Sequence, residues 1–254
     1  VEGVDSVNVQ FVSKAEQHAL RTGSYTVTQT TITPQTPVLE DVGNGKNRIL
    51  FFKKTVTSNT VTFDGGSAST TSITSSSNVD LPTIYFNGAD YVTIKNLTVE
   101  ATFTTDNWAI FLRNQSDYNT IENCIVTMPY TTGFDRTPIA VSGNINSSTN
   151  GANNANHLTI KNNVIKGGYY GISLRGTSTA NRINDFVIEN NTIEAYSMGI
   201  YSYYADSISI KGNNISAHSN PTGTHYSIYS YYGVGHTIEA NTLTSPDRGL
   251  YMYA

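Results

Sequence analysis

HLTIKNNVI, residues 157–165, recurs with small changes along most of this chain. The related segments are YVTIKNLTV (91–99), YNTIENCIV (118–126), DFVIENNTI (185–193), DSISIKGNNI (206–215) and GHTIEANTL (235–243). Aligned on their shared isoleucine, successive copies lie 27, 39, 28, 22 and 28 residues apart. A repeat of this length indicates a solenoid in which each copy forms one turn.

The side chains within each copy alternate between apolar and polar. In HLTIKNNVI, Leu158 and Ile160 point one way and Thr159 and Lys161 the other, and a period of two predicts strands. A second strand follows each copy after a short loop, at WAIFLRN (108–114), TPIAVSG (137–143), YGISLRG (170–176), MGIYSYY (198–204), YSIYSYY (226–232) and RGLYMYA (248–254). Short strands wound in one direction around polar corners predict an all-β parallel β-helix.

Asparagine is concentrated at the predicted corners. The residues concerned are Asn96, Asn123, Asn162, Asn163, Asn190, Asn191, Asn213, Asn214 and Asn241. Asn tolerates the left-handed backbone conformation that a sharp bend requires, and stacked amides can hydrogen-bond along a sheet. We therefore interpret these asparagines as architectural and not as ligands.

The repeat continues without a linker, so we expect a single domain over residues 1–254. Residues 1–58 are predicted to form irregular opening coils or a cap, and residues 59–254 the regular repeats, giving nine or ten coils in all. KAEQHAL (14–20) is a candidate helical turn, and the Thr-, Asn- and Gly-rich insert 128–156 is expected to leave the helix as a loop. Because the last repeat stops in mid-coil, we expect the native chain to continue beyond Ala254.

Charge and composition exclude several classes of partner. Charged residues make up 13% of the chain, the net charge is -4 and Lys and Arg do not cluster, so nucleic acid is not expected to bind. Apolar runs fall well short of the roughly 20 residues that a membrane span needs, so no direct membrane insertion is expected. A surface made polar by hydroxyls and amides favours a location outside the cell. The single cysteine, Cys124, lies within a repeat and is interpreted as a core or turn thiol.

The ionisable residues do not form a recognisable catalytic or metal-binding pattern, and no cofactor or metal is predicted. The histidines lack metal-ligand spacing. Asp64 and Asp90 lie in turn sequences, where bonding to their own backbone is the simpler interpretation. Arg113 and Arg175 follow equivalent strands and are either solvated residues at the rim or ligands of an anionic sugar. Lysine and glutamate alternate at one outward position of the repeat, which predicts weak ion pairs between coils.

Tyrosines form the one outward feature that stands out. Ile200, Ile228 and Leu250 are predicted to point inward. Because side chains alternate along a strand, two columns of neighbouring tyrosines then point outward. They are Tyr201, Tyr229 and Tyr251 in one column and Tyr203, Tyr231 and Tyr253 in the other. The rings could stack on sugars, could be covered by another domain or subunit, or could stack on each other and stiffen the sheet.

The phrases I-x-N-N-x-I and G-I-x-L, with VTFDGG (61–66) and YFNGADYVTIKNLT (85–98), resemble the right-handed parallel β-helix repeat proteins of the pectin-lyase-like superfamily. They are similar in particular to repeats in large secreted or cell-surface proteins of Bacteroidetes-type bacteria. This resemblance implies a right-handed β-helix and export to the cell surface.

Enzymes of the superfamily use calcium-holding carboxylate clusters or acid/base carboxylates, and neither pattern is evident in this sequence. We therefore expect a structural or adhesive module, and lean against an enzyme. Its expected partners are adjoining domains of a longer chain or another surface protein, with polysaccharide as a further candidate. A polysaccharide lyase or hydrolase, or a noncatalytic glycan-binding module, remains the alternative.

Overall fold

A computed structural model describes residues 60–75, 82–102, 107–152, 154–218 and 223–254, and the backbone of four earlier strands within residues 6–52. Every regular element in these ranges is a β-strand. The candidate helical turn KAEQHAL lies outside the described residues. The division into an opening region at 1–58 and regular repeats at 59–254 stays a prediction.

Most strands belong to three long sheets, and each coil contributes one strand to each sheet. The first sheet contains the strand of the repeated phrase. Its members are β1 (Ser6–Val9), β2 (Gly23–Val27), β5 (Val61–Asp64), β8 (Val92–Lys95), β11 (Thr120–Glu122), β14 (Thr159–Lys161), β18 (Val187–Glu189), β22 (Ser209–Lys211) and β25 (Thr237–Glu239).

The second sheet begins directly after the asparagine corner. Its members are β6 (Ser72–Ser75), β9 (Thr98–Ala101), β12 (Ile125–Tyr130), β15 (Val164–Gly168), β19 (Thr192–Ala195), β23 (Asn214–Ala217) and β26 (Thr242–Thr244). Two short strands, β17 (Ile183–Asn184) and β21 (Ala205–Asp206), form a small fourth sheet.

The third sheet carries the second strand of each repeat. Its members are β3 (Val38–Asp41), β4 (Asn47–Phe52), β7 (Ile84–Asn87), β10 (Asn107–Arg113), β13 (Arg136–Val141), β16 (Tyr170–Arg175), β20 (Met198–Tyr203), β24 (Tyr226–Tyr231) and β27 (Arg248–Tyr253).

Successive coils pair in parallel and in register. For example, Ile121 lies opposite Ile94 on one side and Ile160 on the other. The predicted right-handed parallel β-helix is therefore confirmed, with about seven coils. The expected nine or ten coils were too many, because the opening strands pair antiparallel (β1 with β2, β2 with β5, β3 with β4) and do not wind as coils.

Aligned aliphatic side chains fill the interior. Ile110, Ile139, Ile172, Ile200 and Ile228 form one column of the third sheet and are completely buried. Burying one such side chain contributes roughly 1.5–3 kcal/mol. Since each is covered by the coils on both sides, the stack of coils is the stable unit.

The corner between the first and second sheets consists of two residues with different roles. The first residue takes a left-handed conformation, with φ between 52° and 67°. These first residues are Asn96, Asn123, Asn162, Asn190, Gly212 and Ala240. The second residue is buried inside the corner in most coils, as Leu97, Cys124, Asn163, Asn191 and Asn213 show.

Four stacked asparagines form a ladder, which we call the Asn ladder: Asn163, Asn191 and Asn213, which are buried, and the partly buried Asn241. The Oδ1 of Asn191 accepts the backbone N–H of Asn163 at 2.9 Å and its Nδ2 at 3.0 Å. The Nδ2 of Asn191 also donates to the carbonyl of Ile160 at 2.9 Å. The same contacts join Asn213 to Asn191 and Asn241 to Asn213. The predicted architectural role is thus confirmed for these four residues, whereas Asn214 lies in strand β23.

The insert predicted at 128–156 is shorter than expected. Its first half contains the end of β12 and all of β13, because TPIAV continues the third sheet. Of the described residues in this insert, 142–152 and 154–156 leave the coil after β13, and we call them the covering loop. It lies against the outer face of the third sheet, where its Ser148 accepts a hydrogen bond from Trp108 Nε1 at 2.7 Å.

The Asn ladder makes a sharp prediction about stability. Asn191→Ala removes the acceptor of the buried Asn163 N–H and the donor to the Ile160 carbonyl. Each unsatisfied buried group costs about 1–3 kcal/mol, so we expect a loss of roughly 2–5 kcal/mol in the free energy of unfolding. Urea denaturation followed by circular dichroism measures this loss.

The adjacent residue provides the matched control. Asn190 has a φ of 54°, a conformation that glycine adopts freely. Asn190→Gly should therefore change stability by less than about 1 kcal/mol. Equal losses in the free energy of unfolding of the two variants would contradict the conclusion that the buried amide of Asn191 stabilises the corner.

Candidate functional site

The outer face of the third sheet carries a continuous column of register-paired side chains. It is made up of Tyr85, Phe111, Ala140, Ser173, Tyr201, Tyr229 and Tyr251. Arg175, Tyr203, Tyr231 and Tyr253 pair in a second column beside it. We call the six predicted residues, Tyr201, Tyr203, Tyr229, Tyr231, Tyr251 and Tyr253, the tyrosine face.

Tyrosine rings in the first column stack on one another. The ring centroids of Tyr201 and Tyr229 are 5.6 Å apart with planes 6° from parallel, and those of Tyr229 and Tyr251 are 5.0 Å apart at 9°. Tyr170, at the start of its strand, stacks on Tyr201 at 4.6 Å. The alternation of the repeat thus brings these rings together on one side of the sheet.

The second column is also stacked and has a cation at one end. Tyr203 and Tyr231 are 5.0 Å apart, and Tyr231 and Tyr253 are 4.6 Å apart. The guanidinium carbon of Arg175 lies 3.9 Å from the centroid of the Tyr203 ring, a cation–π contact. Arg175 therefore caps the stack of rings in the second column.

Stacking determines which parts of the rings are presented. Parallel rings about 5 Å apart are offset-stacked, so the faces of the inner rings lie on each other. The outward surface consists of ring edges and hydroxyl groups. Of the three interpretations that the sequence allowed, stacking of the rings on each other describes the observed geometry. Both faces of the Tyr229 ring already lie against neighbouring tyrosines, so neither face is open for a sugar ring.

The hydroxyl groups of Tyr201 and Tyr229 remain protonated at neutral pH. Burial raises the pKa of Tyr201 to about 12, and the positive charge of the nearby Arg175 only partly opposes this effect. Burial and the neighbouring tyrosines also raise the pKa of Tyr229. The face therefore offers phenol O–H groups, which can donate hydrogen bonds.

Further tyrosines that sequence reasoning missed extend this surface. Tyr204 and Tyr232 stack at 5.1 Å and 5° beside the second column, and both have positive φ. Tyr226 lies beside the first column, with its hydroxyl 3.2 Å from Nη1 of Arg248. The second tyrosine of the YY pair that ends both SYY segments could have indicated them. Strand alternation, however, does not predict whether the side chain of a corner residue points inward or outward.

The other half of the same outer face is covered by the chain itself. Tyr85, Trp108, Phe111 and Ala140 form a second buried cluster, and Ile145 of the covering loop packs against it. Phe111 and Ala140 are fully buried although they point away from the interior core. Sequence reasoning missed this arrangement because the loop has no apolar period.

Acidic residues singled out from the sequence serve as structural links. Asp64 accepts the N–H of Gly66 within its own turn, as predicted, and pairs with Lys95 at 3.2 Å. The Oδ1 of Asp90 accepts the backbone N–H of Asp117 in the next coil at 2.9 Å. Asp90 thus holds neighbouring coils together.

The alternating charges on the first sheet form some of the expected pairs. Lys161 contacts Glu122 at 2.9 Å and Lys211 contacts Glu239 at 3.3 Å. These side chains are partly exposed, so each pair contributes little to stability. Arg113, the other candidate for an anionic sugar, lies opposite Asn87 in the register of the third sheet.

Another aromatic column lies at the corner before the first sheet. Tyr91 stacks on Tyr118 at 4.8 Å, and Tyr118 stacks on His157 at 4.3 Å. All three residues have positive φ. This column lies in earlier coils than the tyrosine face, and it shows that corner residues also stack between coils.

These features define the class of protein: a right-handed parallel β-helix with a stacked tyrosine surface on one sheet. The sequence model of NosD, described as a periplasmic copper-binding protein, matches residues 128–254, and the chain belongs to this family. A search of curated proteins and a search of solved structures each found no match. Within the described ranges, no helix is long and apolar enough to cross a membrane.

The family description names copper, so the described residues were tested against a copper site. They include no group of three or more His, Cys, Asp or Glu side chains that could hold a metal ion. His157 and His225 each approach one carboxylate, Asp185 and Asp247 respectively, at 3.4 Å. Among the residues that the structure describes, these donors do not fit a resident copper ion.

Cys124 illustrates why this soft donor does not bind metal readily. It is 1% exposed, and burial raises the pKa of its thiol to about 11. Because a thiol below its pKa is protonated, the thiolate needed for coordination is scarce at neutral pH.

We expect Cys124 in the native protein to resist Ellman's reagent at pH 8, since the thiol is both protonated and covered. The absorbance of the released thionitrobenzoate measures the reaction. In 6 M urea the same thiol should react fully, because the unfolded cysteine returns to a pKa of about 8.5. Rapid reaction of the folded protein would show that the corner around Cys124 opens.

Proposed function

We propose that this chain is a structural and adhesive β-helix module of an exported bacterial surface protein, and that the tyrosine face is its contact surface. The partner is an adjoining domain of a longer chain or another surface protein. The family description supports a location outside the cytoplasm, because it places NosD in the periplasm. Cell-surface display is part of the proposal.

The observation that carries the proposal is the composition of the tyrosine face. Stacked rings from successive coils make a patch that is mainly aromatic and bordered by Arg175 and Arg248. Tyrosine and arginine are the residues most enriched at binding hot spots. A patch of this kind, larger than scattered apolar residues would give, marks a surface for contact.

The geometry favours a protein partner over a sugar for this face. A sugar ring binds by lying flat on an exposed aromatic face, but the faces of the inner rings are paired with their neighbours. Ring edges and hydroxyls suit a partner that brings apolar side chains and hydrogen-bond acceptors. Among the described residues, the acidic side chains Asp64 and Asp90 serve as links within and between coils.

The double variant Tyr229→Ala/Tyr231→Ala tests the proposal. The labelled module should bind saturably to washed cells of the producing bacterium, and the double variant should bind at least about tenfold more weakly, since two contact tyrosines are worth more than 1.4 kcal/mol together. Flow cytometry over a concentration series measures the affinity.

Tyr118→Ala is the matched control, because it removes an exposed stacked tyrosine that lies at the corner before the first sheet and outside the tyrosine face. It should bind as the unchanged protein does. Circular dichroism should show that all variants remain folded, as lost stacking costs only about 0.5–1.5 kcal/mol per pair. Binding that is absent in the unchanged protein, or equal in all three, contradicts the proposed contact role.

A further inference from the structure

The covering loop acts as a built-in ligand for the outer face of the third sheet. The column that includes Phe111, Ala140 and Ser173 is completely buried at these three positions. The same column continues, residue opposite residue, into Tyr201 and Tyr229, which are only partly buried. One continuous face is therefore occupied in the middle coils and unoccupied in the next ones.

The contacts of the covering loop show what this face accepts. The Oγ of Ser148 accepts the indole N–H of Trp108 at 2.7 Å, and the carbonyl of Ser148 accepts the hydroxyl of Ser173 at 2.6 Å. Ile145 supplies an apolar side chain against the aromatic cluster. The loop thus supplies two hydrogen-bond acceptors, which pair with donors on the outer face of the sheet, and one aliphatic side chain that packs on its aromatic residues.

Charge has almost no part in this docking. The stretch SGNINSSTNGA (142–152) contains no charged residue. One acidic side chain outside the loop takes part: the Oδ1 of Asp135 accepts the backbone N–H of Ser148 at 3.1 Å. A polar but uncharged segment is therefore sufficient to bury this face.

The tyrosine face presents the same elements in the coils beyond the loop. Its phenol O–H groups take the place of the indole N–H and the serine hydroxyl as donors. Its ring edges take the place of the apolar cluster. The two bordering cations are already engaged, since Arg175 lies over Tyr203 and Arg248 contacts the hydroxyl of Tyr226.

The loop ends directly beside this surface. The Nδ2 of Asn154 donates to the carbonyl of Arg175 at 2.8 Å, and a Cβ on Gly151 would lie 2.9 Å from the carbonyl oxygen of Gly176. The close approach at Gly151 shows that the loop packs backbone against backbone at this boundary. A second segment laid along the tyrosine face would continue the covered surface without a gap.

We propose that the partner of the tyrosine face is an uncharged polypeptide segment rich in Ser and Asn and carrying an aliphatic side chain, docked as the covering loop docks on the preceding coils. This inference rests on the proposed contact function and specifies the partner's chemistry. Carbonyl and hydroxyl oxygens of the segment accept hydrogen bonds from the tyrosines, and its aliphatic side chain packs on the ring edges of Tyr201 and Tyr229.

The test uses a synthetic peptide with the sequence of residues 142–152 and the complete chain labelled with ¹³C in its tyrosine rings. Titration to millimolar peptide, a range suited to weak binding, should shift the ring signals of Tyr201, Tyr229 and Tyr231 saturably. The signal of Tyr85, in the half already covered, should not move. The protein variant Tyr229→Ala should weaken binding, and Tyr118→Ala should not.

A peptide with the Ile145→Asp change is the matched control for the apolar contact. It keeps the length and the serines but loses the aliphatic side chain, so its affinity should fall about tenfold or more. A neutral oligosaccharide and an oligouronate of similar length are titrated in parallel. They separate a peptide surface from a glycan surface.

The outcomes distinguish this inference from the proposed function. Saturable shifts with the peptide, reduced by Ile145→Asp, support the inference. If only a saccharide shifts the tyrosine signals, or if no probe does, the inference is overturned. If cell binding nevertheless depends on Tyr229 and Tyr231, the contact function stands and only the partner's chemistry is wrong; if it does not, both fail.

Discussion

The structure depends on one recurring requirement: the chain must turn sharply between the first and second sheets without leaving buried peptide groups unpaired. A left-handed residue makes the turn, and in the coils of the Asn ladder the side-chain amide of the next residue bonds the backbone of the coil before it. An unpaired buried N–H would cost about as much as an aliphatic contact gains. Columns of isoleucine can therefore stack in register only because the corner beside them is satisfied.

The regularity that fills the interior also builds the exterior. A two-residue period that directs isoleucine inward directs its neighbours outward at the same spacing. Where those neighbours are tyrosines, the distance between coils brings their rings into stacking contact. Where the neighbours are Phe111, Ala140 and Ser173, a polar loop covers them, so one sheet presents two surfaces of different character.

Fold, strand positions and the outward direction of the tyrosines were predictable from the sequence, because each follows from a repeat of two or of about 28 residues. The orientation of the tyrosine rings was not predictable. It depends on side-chain torsions set by rings in neighbouring coils. Tyr204 and Tyr232 were missed for a similar reason, since they occupy left-handed corner positions where alternation stops.

Two other features could not be read from the sequence because they depend on contacts between distant segments. The covering loop is polar and irregular, and nothing in its composition indicates that it packs on Trp108 and Phe111. The opening strands pair antiparallel, and a sequence that alternates apolar and polar residues does not distinguish antiparallel from parallel pairing. The sequence left Arg175 as either a rim residue or an anion ligand, because side-chain packing decides whether its guanidinium lies over the ring of Tyr203.

The Asn ladder gives the molecule a direction. Every one of its side chains reaches back to the preceding coil: the Nδ2 groups of Asn163, Asn191, Asn213 and Asn241 donate to carbonyls of Ile121, Ile160, Ile188 and Ile210. The corner of each coil is thus completed only when the coil after it has arrived. A chain that emerges from a ribosome or a membrane pore with its N-terminus first would carry a single unfinished corner at its growing end. Each new coil would close the previous corner and open its own, so assembly would advance one turn at a time from the first coil toward the last.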